Sequence, residues 1–496
     1  MDIVSRVLDW TVSVVSPQKG VKRARARSAL ETARRAYDGA KTGRLTNGWI
    51  SGATDSNAEI ASASIRLRNR ARDLVRNNPH ASRAVDIHAA YLIGAGIRPI
   101  PKADTVDLDA KITDVWNDFA ESCDANGRTD FYGIQALVVR SMVESGECLV
   151  QFVRRPSQFR GGLGVPLQLR VLECDHLDTT KDKELPGGGF IENGVEYNAD
   201  GDRLAYWLYQ RHPGSTRSGS TISIRIAATE ILHIFKVARP GQNRGVTWFA
   251  PVMRRMRDLD DYDLSELIRK KTESAFTAVI TGAEAPESIG DDTNADGTVI
   301  ETLEPGTVQY LEQGQDIKFT EPSSVSGYAE YMGVSLHAVA AGMCMPYELM
   351  TGDLSKISFS SVRAGFLAFH RMESAIQNNL IIPQLCYPVW NQFYNTALAK
   401  GLIGAAPIRL KWAPQAFESV DPVKDETARL IAVRAGFMSP QQAVAEKGND
   451  WDDVTKDFAA FYEQVDANGM VINMDARKTT DNGLQKLETI NADANK

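Results

Sequence analysis

The chain has 496 residues, 43% of them hydrophobic and 24% charged, proportions that exclude wholesale disorder and a collagen-like repeat. At this length about two to four packed units sharing a continuous core are expected. A formal net charge of −7, from 56 Lys and Arg against 63 Asp and Glu, argues against a protein that grips nucleic acid through many phosphate contacts, which needs a dense basic surface; weak or transient contact with DNA is still permitted.

The opening, MDIVSRVLDWTVSVV, alternates apolar and polar residues and lacks a basic n-region and a long apolar core, so it does not read as a cleaved signal peptide. No stretch reaches the roughly 18 apolar residues of a membrane-spanning helix. Cys123, Cys148, Cys174, Cys344 and Cys386 show no metal-ligand spacing and read as reduced thiols of a cytoplasmic setting.

Residues 17–45 concentrate Lys22, Arg23, Arg25, Arg27, Arg34 and Arg35 with few acids between them. An arm that meets a phosphate backbone or an acidic partner is one reading, and a solvated, partly helical tail is the other. From about Glu59, Ile65, Leu67, Ala71, Leu74 and Val75 draw an apolar stripe at helical spacing, with Arg66, Arg68, Arg70, Arg72 and Arg76 on the remaining faces. Asn78-Pro79 ends that helix, because the residue before a proline avoids the helical region. Further helices are predicted at about 82–93, 106–121 and 131–146, the last capped by Thr129 or Asp130 and closed near Gly146.

The period then changes. Residues 149–155, 167–173, a pair around Asn198-Ala199-Asp200-Gly201, and the run 223–237 read as strands. The glycine-rich stretches 161–164 and 187–189 lack the context of a phosphate cradle and read as plain loops. After RPGQNRG (239–245), a helix is predicted from near Thr247 without a breaker to about Thr281, a rod of roughly 45 Å. A Gly-, Asp- and Glu-rich segment with short strands, 281–322, separates it from a second helix, about Val325 to Met343, that Pro346 terminates. Beyond a polar loop at 352–361, helices are expected at about 361–381 and 384–399. Asp421-Pro422 reads as the N-cap and first residue of a helix closed by Gly436, and Ser439-Pro440 starts another. Residues after Asn468 lack apolar periodicity and read as a disordered tail.

Little of this pattern points to chemistry. Asp292, Asn294, Asp296 and Gly297 reproduce the first half of a calcium loop. The twelfth position, which needs a bidentate acid, is Leu303, so an ordinary acidic turn is the reading. Cys174, Asp175 and His176 are the one close grouping of metal-ligand types, and neighbours in an extended chain point to opposite faces. No nucleophile elbow, HExxH helix, kinase-type triplet or Walker A sequence is present, and the acids form no local acid/base couple. No catalytic residue, metal or cofactor is predicted.

Several ordered segments resemble the lambda-type family of phage portal proteins: RRAYDGAKTGRLTNGW (34–49), LRNRARDLVRNNPHASRAV (67–85), GAGIRP (94–99), PYELMTGDLSKISFSSVRAGFLAFHR (346–371) and WAPQAFESVDPVKDETA (412–428). The most specific stretch is HIFKVARPGQNRGVTWFAPVMRRMRDLDDYDLSE (233–266), where the Arg-Pro-Gly-Gln-x-Arg-Gly turn precedes a long helix. The resemblance implies an α+β, mainly α fold of the portal type, with a mixed α/β wing, long stem helices, a small β-containing clip and a helical crown, assembling as a ring of about twelve copies.

Carried onto this chain, the resemblance assigns 1–58 to a basic N-terminal arm, 59–247 to the wing and 248–280 to the first stem helix. The clip is 281–322, the second stem helix 323–345, the tunnel loop with its wing and tunnel helices 346–415, the crown 416–468 and the tail 469–496. It implies a non-enzymatic channel for DNA packaging and ejection at one capsid vertex of the virion, assembled in the bacterial host cytoplasm. The implied partners are further copies of the chain, double-stranded DNA, the terminase large subunit, head-tail connector or adaptor proteins, and the major capsid and scaffolding proteins, with no membrane.

In the implied tunnel loop Lys356 would contact phosphate and Ser355, Ser358 and Ser360 would be neutral donors. Arg254, Arg257, Lys270 and Lys271 are candidate lumen-facing stem cations, and Lys22, Arg23, Arg25 and Arg27 the candidate contacts of the arm. An acidic balance fits a conduit, since a strongly basic lumen would trap the duplex by releasing its counterions, whereas a few cations steer without holding. Two other readings stay open on the residues alone: a DNA-processing enzyme with an unrecognised acidic active site, and a nucleic-acid binder working through the basic arm.

Overall fold

Asn78 is extended, with φ −107° and ψ 120°, as a residue before proline prefers to be. It divides α1 (Ser56–Asn77) from α2 (Pro79–Leu92). The protein is described here from a computed structural model. The described residues are 52–154, 164–216, 222–275, 279–281, 316–318, 327–355, 358–415, 417, 422–445, 447, 449 and 451–472, with Gln18, Val21, Lys22, Arg25, Arg44, Asn47 and Gly48 nearer the N-terminus. Residues 1–58 and 59–496 form two units. In the first, Lys22 and Arg25 are helical and exposed, while Arg23 and Arg27 lie outside the described residues.

The Asn78 side chain accepts from the Ala81 amide at 3.0 Å, capping α2. Ala81, Ala84, Val85, His88, Ala89 and Leu92 form its buried face, at the spacing of a helix pressed against a core. In α1 the predicted stripe holds at Leu67, Ala71, Leu74 and Val75, which pack on the core, but not at Ile65. Ile60, Ala71 and Leu74 are buried, but Ile65 is 50% exposed and Arg68 only 4%, because Arg68 reaches inward to Asp175 at 3.2 Å and buries its alkyl stem on the way.

Helices α3 (Val106–Ser122) and α4 (Phe131–Ser145) follow as predicted, and of the two candidate caps it is Asp130 that accepts from the Gly133 amide, at 2.7 Å. Trp116 on α3 packs within about 5–6 Å of Phe119, Phe131, Trp390 and Phe393, a cluster that ties the start of the chain to its later helices.

Two antiparallel sheets carry most of the strands. In the three-stranded sheet β2 (Glu147–Val153) lies between β3 (Gln168–Glu173) and β9 (Ile231–Phe235). The other sheet is a five-stranded meander of β4 (Lys183–Glu184), β5 (Phe190–Glu192), β6 (Val195–Tyr197), β7 (Arg203–Tyr209) and β8 (Ser223–Ala227). The run 223–237, predicted as strand, is broken by a 3₁₀ turn at Ala228–Glu230, so β8 and β9 enter different sheets. Asn193 and Gly194, with φ 51° and 82°, make the two-residue turn between β5 and β6 that Asn-Gly favours. A second core joins the sheets through Leu149, Leu177, Val195, Tyr206, Leu208 and Ile231.

Helix α5 runs Met253–Ala275, six residues later than the start predicted at Thr247. Pro251 explains the delay, since it holds the residue before it out of the helix. A short strand pair, β10 (Val279–Thr281) with β11 (Asp316–Lys318), precedes α6 (Tyr328–Gly342) and α7 (Tyr347–Thr351). The calcium-loop lookalike at 292–303 lies outside the described residues.

The two helices predicted at 361–381 and 384–399 are one continuous rod: α8 (Phe359–Ile376), a π-helical segment (Gln377–Cys386) and α9 (Tyr387–Ala399). Pro383 sits inside the π segment, where the wider turn relieves the clash that proline makes with the carbonyl one α-turn back. Strand β12 (Arg409–Ala413) then returns to pair with β1 (Arg98–Lys102) across most of the chain. Helices α10 (Pro422–Arg434), α11 (Pro440–Ala445) and α12 (Trp451–Ala467) follow, and Gly436 closes the first at φ 76°. Among the described residues no helix is long and apolar enough to cross a membrane.

Candidate functional site

Helix α5 carries six cations (Arg254, Arg255, Arg257, Arg269, Lys270, Lys271) and six acids (Asp258, Asp260, Asp261, Asp263, Glu266, Glu273). The i,i+4 spacing lets them neutralise one another along the helix. Arg254 approaches Asp258 at 4.0 Å and Arg257 approaches Asp261 at 3.0 Å. Lys270 stands 3.9 Å from Glu266 and 5.3 Å over the ring of Tyr328. Of the four predicted stem cations, Arg254, Arg257 and Lys270 thus have an acid beside them on the same helix, and all four are exposed. Helix α6 packs on α5 through aromatic rings: Tyr262 stacks on Tyr328 at 5.8 Å and meets Tyr331 edge-on at 4.8 Å. The Tyr328 hydroxyl donates to Asp263, a bond that pushes its phenol up to about 12.

The turn 239–245 mounts this helix pair on the body. The Gln242 side-chain oxygen accepts from the amides of Ala238 and Arg239 at 2.8 and 3.2 Å, and its nitrogen donates to the Arg244 carbonyl at 2.6 Å. Arg244, 2% exposed, plunges inward. Its Nε donates to both Glu147 oxygens at 3.0 and 2.9 Å, its Nη2 closes a further bond to the same carboxylate, and its Nη1 donates to the Asn193 carbonyl at 3.3 Å. Glu147 also accepts from the Gly245 amide at 2.8 Å and faces His233 Nε2 at 2.9 Å.

Burial alone would raise the Glu147 carboxyl, but the Arg244 charge and these bonds outweigh it and hold the group well below the usual carboxylate range. Burial holds His233 below its ordinary value. Gly146, at φ 94°, and Gly245 let two backbones cross here: a Cβ on Gly146 would stand 2.5 Å from the Thr247 nitrogen, and one on Gly245 would stand 2.2 Å from the Gly146 carbonyl oxygen.

The predicted tunnel loop begins where Gly352, at φ 76°, ends α7. The Asp353 amide donates to Thr351 Oγ1 at 3.2 Å and the Ser355 amide to Asp353 Oδ1 at 2.9 Å. Leu354 is 70% exposed and Ser358 is exposed. Ser360 is in the first turn of α8, its side chain outside the described residues along with Lys356. The loop is braced on α2, where Arg83 Nε donates to the Leu349 carbonyl at 2.7 Å. One turn further along α2, His88 places Nδ1 3.1 Å from Glu373 Oε1 of α8 and Nε2 3.0 Å from the Met343 carbonyl at the end of α6.

One grouping among the described residues has metal-ligand composition, Glu173, Asp175 and His212. Cys174–His176 is a 3₁₀ turn rather than the extended chain predicted, and the imidazole near Asp175 comes from His212. Arginines already answer these acids: Arg72 reaches Glu173 at 2.8 Å and Asp175 at 2.7 Å, and Arg68 reaches Asp175. His212 Nδ1 accepts from the Gly214 amide at 3.0 Å, which leaves the proton on Nε2, the atom facing the acids. The grouping is an ion-pair network.

Sequence reasoning missed Glu147, His88 and Glu373. Their partners lie 97, 255 and 285 residues away, so no local spacing marks them; Asn193-Gly194 did carry a turn signal.

Paired helices of balanced charge on a buried mount, with a loop between braced helices, are the parts of a structural scaffold. The family model described as "Phage portal protein, lambda family" matches residues 42–377, and the chain belongs to that family of tailed-phage portal proteins. It is 28% identical to the "Probable portal protein" of Halomonas phage phiHAP-1 over 448 residues, 85% of each chain. It is 20% identical to "Portal protein B" of Escherichia phage lambda, over 78% of this chain and 81% of that one. Among solved structures, a chain of "Neck of native GTA particle computed with C12 symmetry" superposes with a TM-score of 0.47 at 16% identity, covering 77% of this chain and 92% of its own.

Proposed function

We propose that copies of this chain close into a ring at one capsid vertex, and that DNA passes through its channel during packaging and ejection without any reaction being catalysed. Helices α5 and α6 act as the stem, 281–322 as the clip that meets terminase and head-tail connector proteins, 352–360 as the loop nearest the duplex, and 416–468 as the crown. Assembly takes place in the host cytoplasm, and the N-terminal arm meets an acidic partner or phosphate.

The observation that carries the reading is the charge balance of α5. A helix with as many acids as cations, four of the cations beside an acid on the same helix, offers a sliding duplex no deep electrostatic trap. Its exposed apolar residues fit a neighbouring copy in the ring: Leu264 and Ile268 on α5 and Val334, 69% exposed, on α6.

Native mass measurement with negative-stain imaging tests the reading. Twelve chains of 54.5 kDa give about 654 kDa, and a ring of about that mass with a central hole is expected. A monomer or small oligomer at every concentration and salt would reject it.

A further inference from the structure

His88 touches the chain at three places that matter for the proposed channel. Its ring meets Trp248, five residues before α5 begins, edge-on at 5.0 Å. Its Nε2 faces the carbonyl of Met343, where α6 ends, at 3.0 Å, and its Nδ1 faces Glu373 Oε1 on α8 at 3.1 Å. Phe369, one turn before Glu373, lies 6.0 Å away. The imidazole therefore stands where the stem segment leaves the body, where it returns, and against the C-terminal half of the helix that follows the tunnel loop.

The pair is costly to bury. Both side chains are 1% exposed, and an ionisable pair in such a place contributes little stability over apolar residues of the same size. Two polar atoms beside it, Glu373 Oε2 and Trp248 Nε1, are buried without a hydrogen-bond partner in the protein. Packing alone gives no reason to keep this arrangement. Direction does: each bond from the imidazole fixes one element against another, which apolar contacts, having no directionality, do not.

Other contacts of α2 run the same way. Its cap residue Asn78 donates to Asp260 of α5 at 2.7 Å, Arg83 holds Leu349 of α7, and the Leu92 carbonyl accepts from Gln377 at the start of the π segment at 2.9 Å.

We infer that His88 and Glu373 are positioning residues that register the two stem ends against α8, so that the tunnel loop moves with the stem rather than independently of it. The inference rests on the channel reading above. Neither residue touches DNA in this scheme; they act through α6, α7 and α8.

The test replaces the pair by apolar residues of similar volume, His88→Phe with Glu373→Leu, in the full-length chain. Ring mass and thermal midpoint are expected to stay near those of the parent. Backbone amides of Tyr347–Ser355 should exchange with deuterium about tenfold faster, amides of β2, β3 and β9 at the parental rate, and particles carrying the variant should retain less packaged DNA. Glu373→Gln beside the native His88, whose side-chain amide can still hydrogen-bond the imidazole Nδ1, should keep most of the protection. Parental exchange over Tyr347–Ser355 in intact double-variant rings would overturn the inference.

If the double variant forms no rings, the parent protein carries the test. Protection of Tyr347–Ser355 and of Ala341–Met345 should change together between DNA-filled and emptied particles, and a change in the first without the second would also overturn it. Deleting Gly352–Ser355 tests the channel reading separately: parental packaging by that deletion would count against the loop's contact with DNA and leave the exchange results standing.

Discussion

At Glu147 one carboxylate answers a buried arginine, an imidazole and a backbone amide. Glu147→Gln would leave Arg244 charged and without its counter-ion in the core, at a cost of about 3–5 kcal/mol, read as a lower urea midpoint. The imidazole beside it sets a pH dependence. His233 is held below its ordinary value in the folded chain, so below about pH 6.5 the unfolded chain takes up a proton that the folded one refuses, and stability falls as pH falls. Glu147 contributes stability that is fully present above about pH 4.3 and is lost progressively as pH falls below that value toward its lowered folded one. His233→Gln, whose amide nitrogen can take the place of Nε2 and still donate to Glu147, should flatten the loss beginning near pH 6.5 and leave the lower one, as seen in thermal midpoints across that range.

Among the elements, prolines separate what was legible from what was not. Asn78-Pro79 marks a helix boundary because the chain there is free to obey proline's local preference. Pro251 obeys the same rule and shortens α5, whereas Pro383 does not interrupt its helix, because packing of Leu380, Ile381, Leu385 and Cys386 into the core holds the rod through the π segment. Most helices, and the β6–β7 pair around Asn198–Gly201, were readable from period, caps and turn residues. The pairing of β1 with β12 and the Glu147–Arg244 mount were not, since both join residues that only the folded chain brings together. Pro383→Ala restores an amide and removes the clash, making an ordinary α-helical turn available. Gln384 should then rotate away from the Phe235 amide, which it accepts from at 3.0 Å, and hydrogen exchange at Phe235 should quicken.

For the whole molecule, charge balance decides how a ring would treat the polymer inside it. Asp258→Lys with Asp261→Lys takes α5 from six cations and six acids to eight and four. Multiplied around a ring of about twelve, this should slow DNA passage at low salt and recover as salt rises, measured as packaging rate against ionic strength; a salt-independent rate would mean that this face lies away from the duplex. A different consequence follows from His88, which meets the chain both at Trp248 and at Met343. Everything between those two residues departs from and returns to one fixed spot on the body. Such a segment can be lengthened, shortened or exchanged for that of a relative as a cassette. If that segment is the proposed stem and clip, a phage could refit the proposed docking end while keeping the same body.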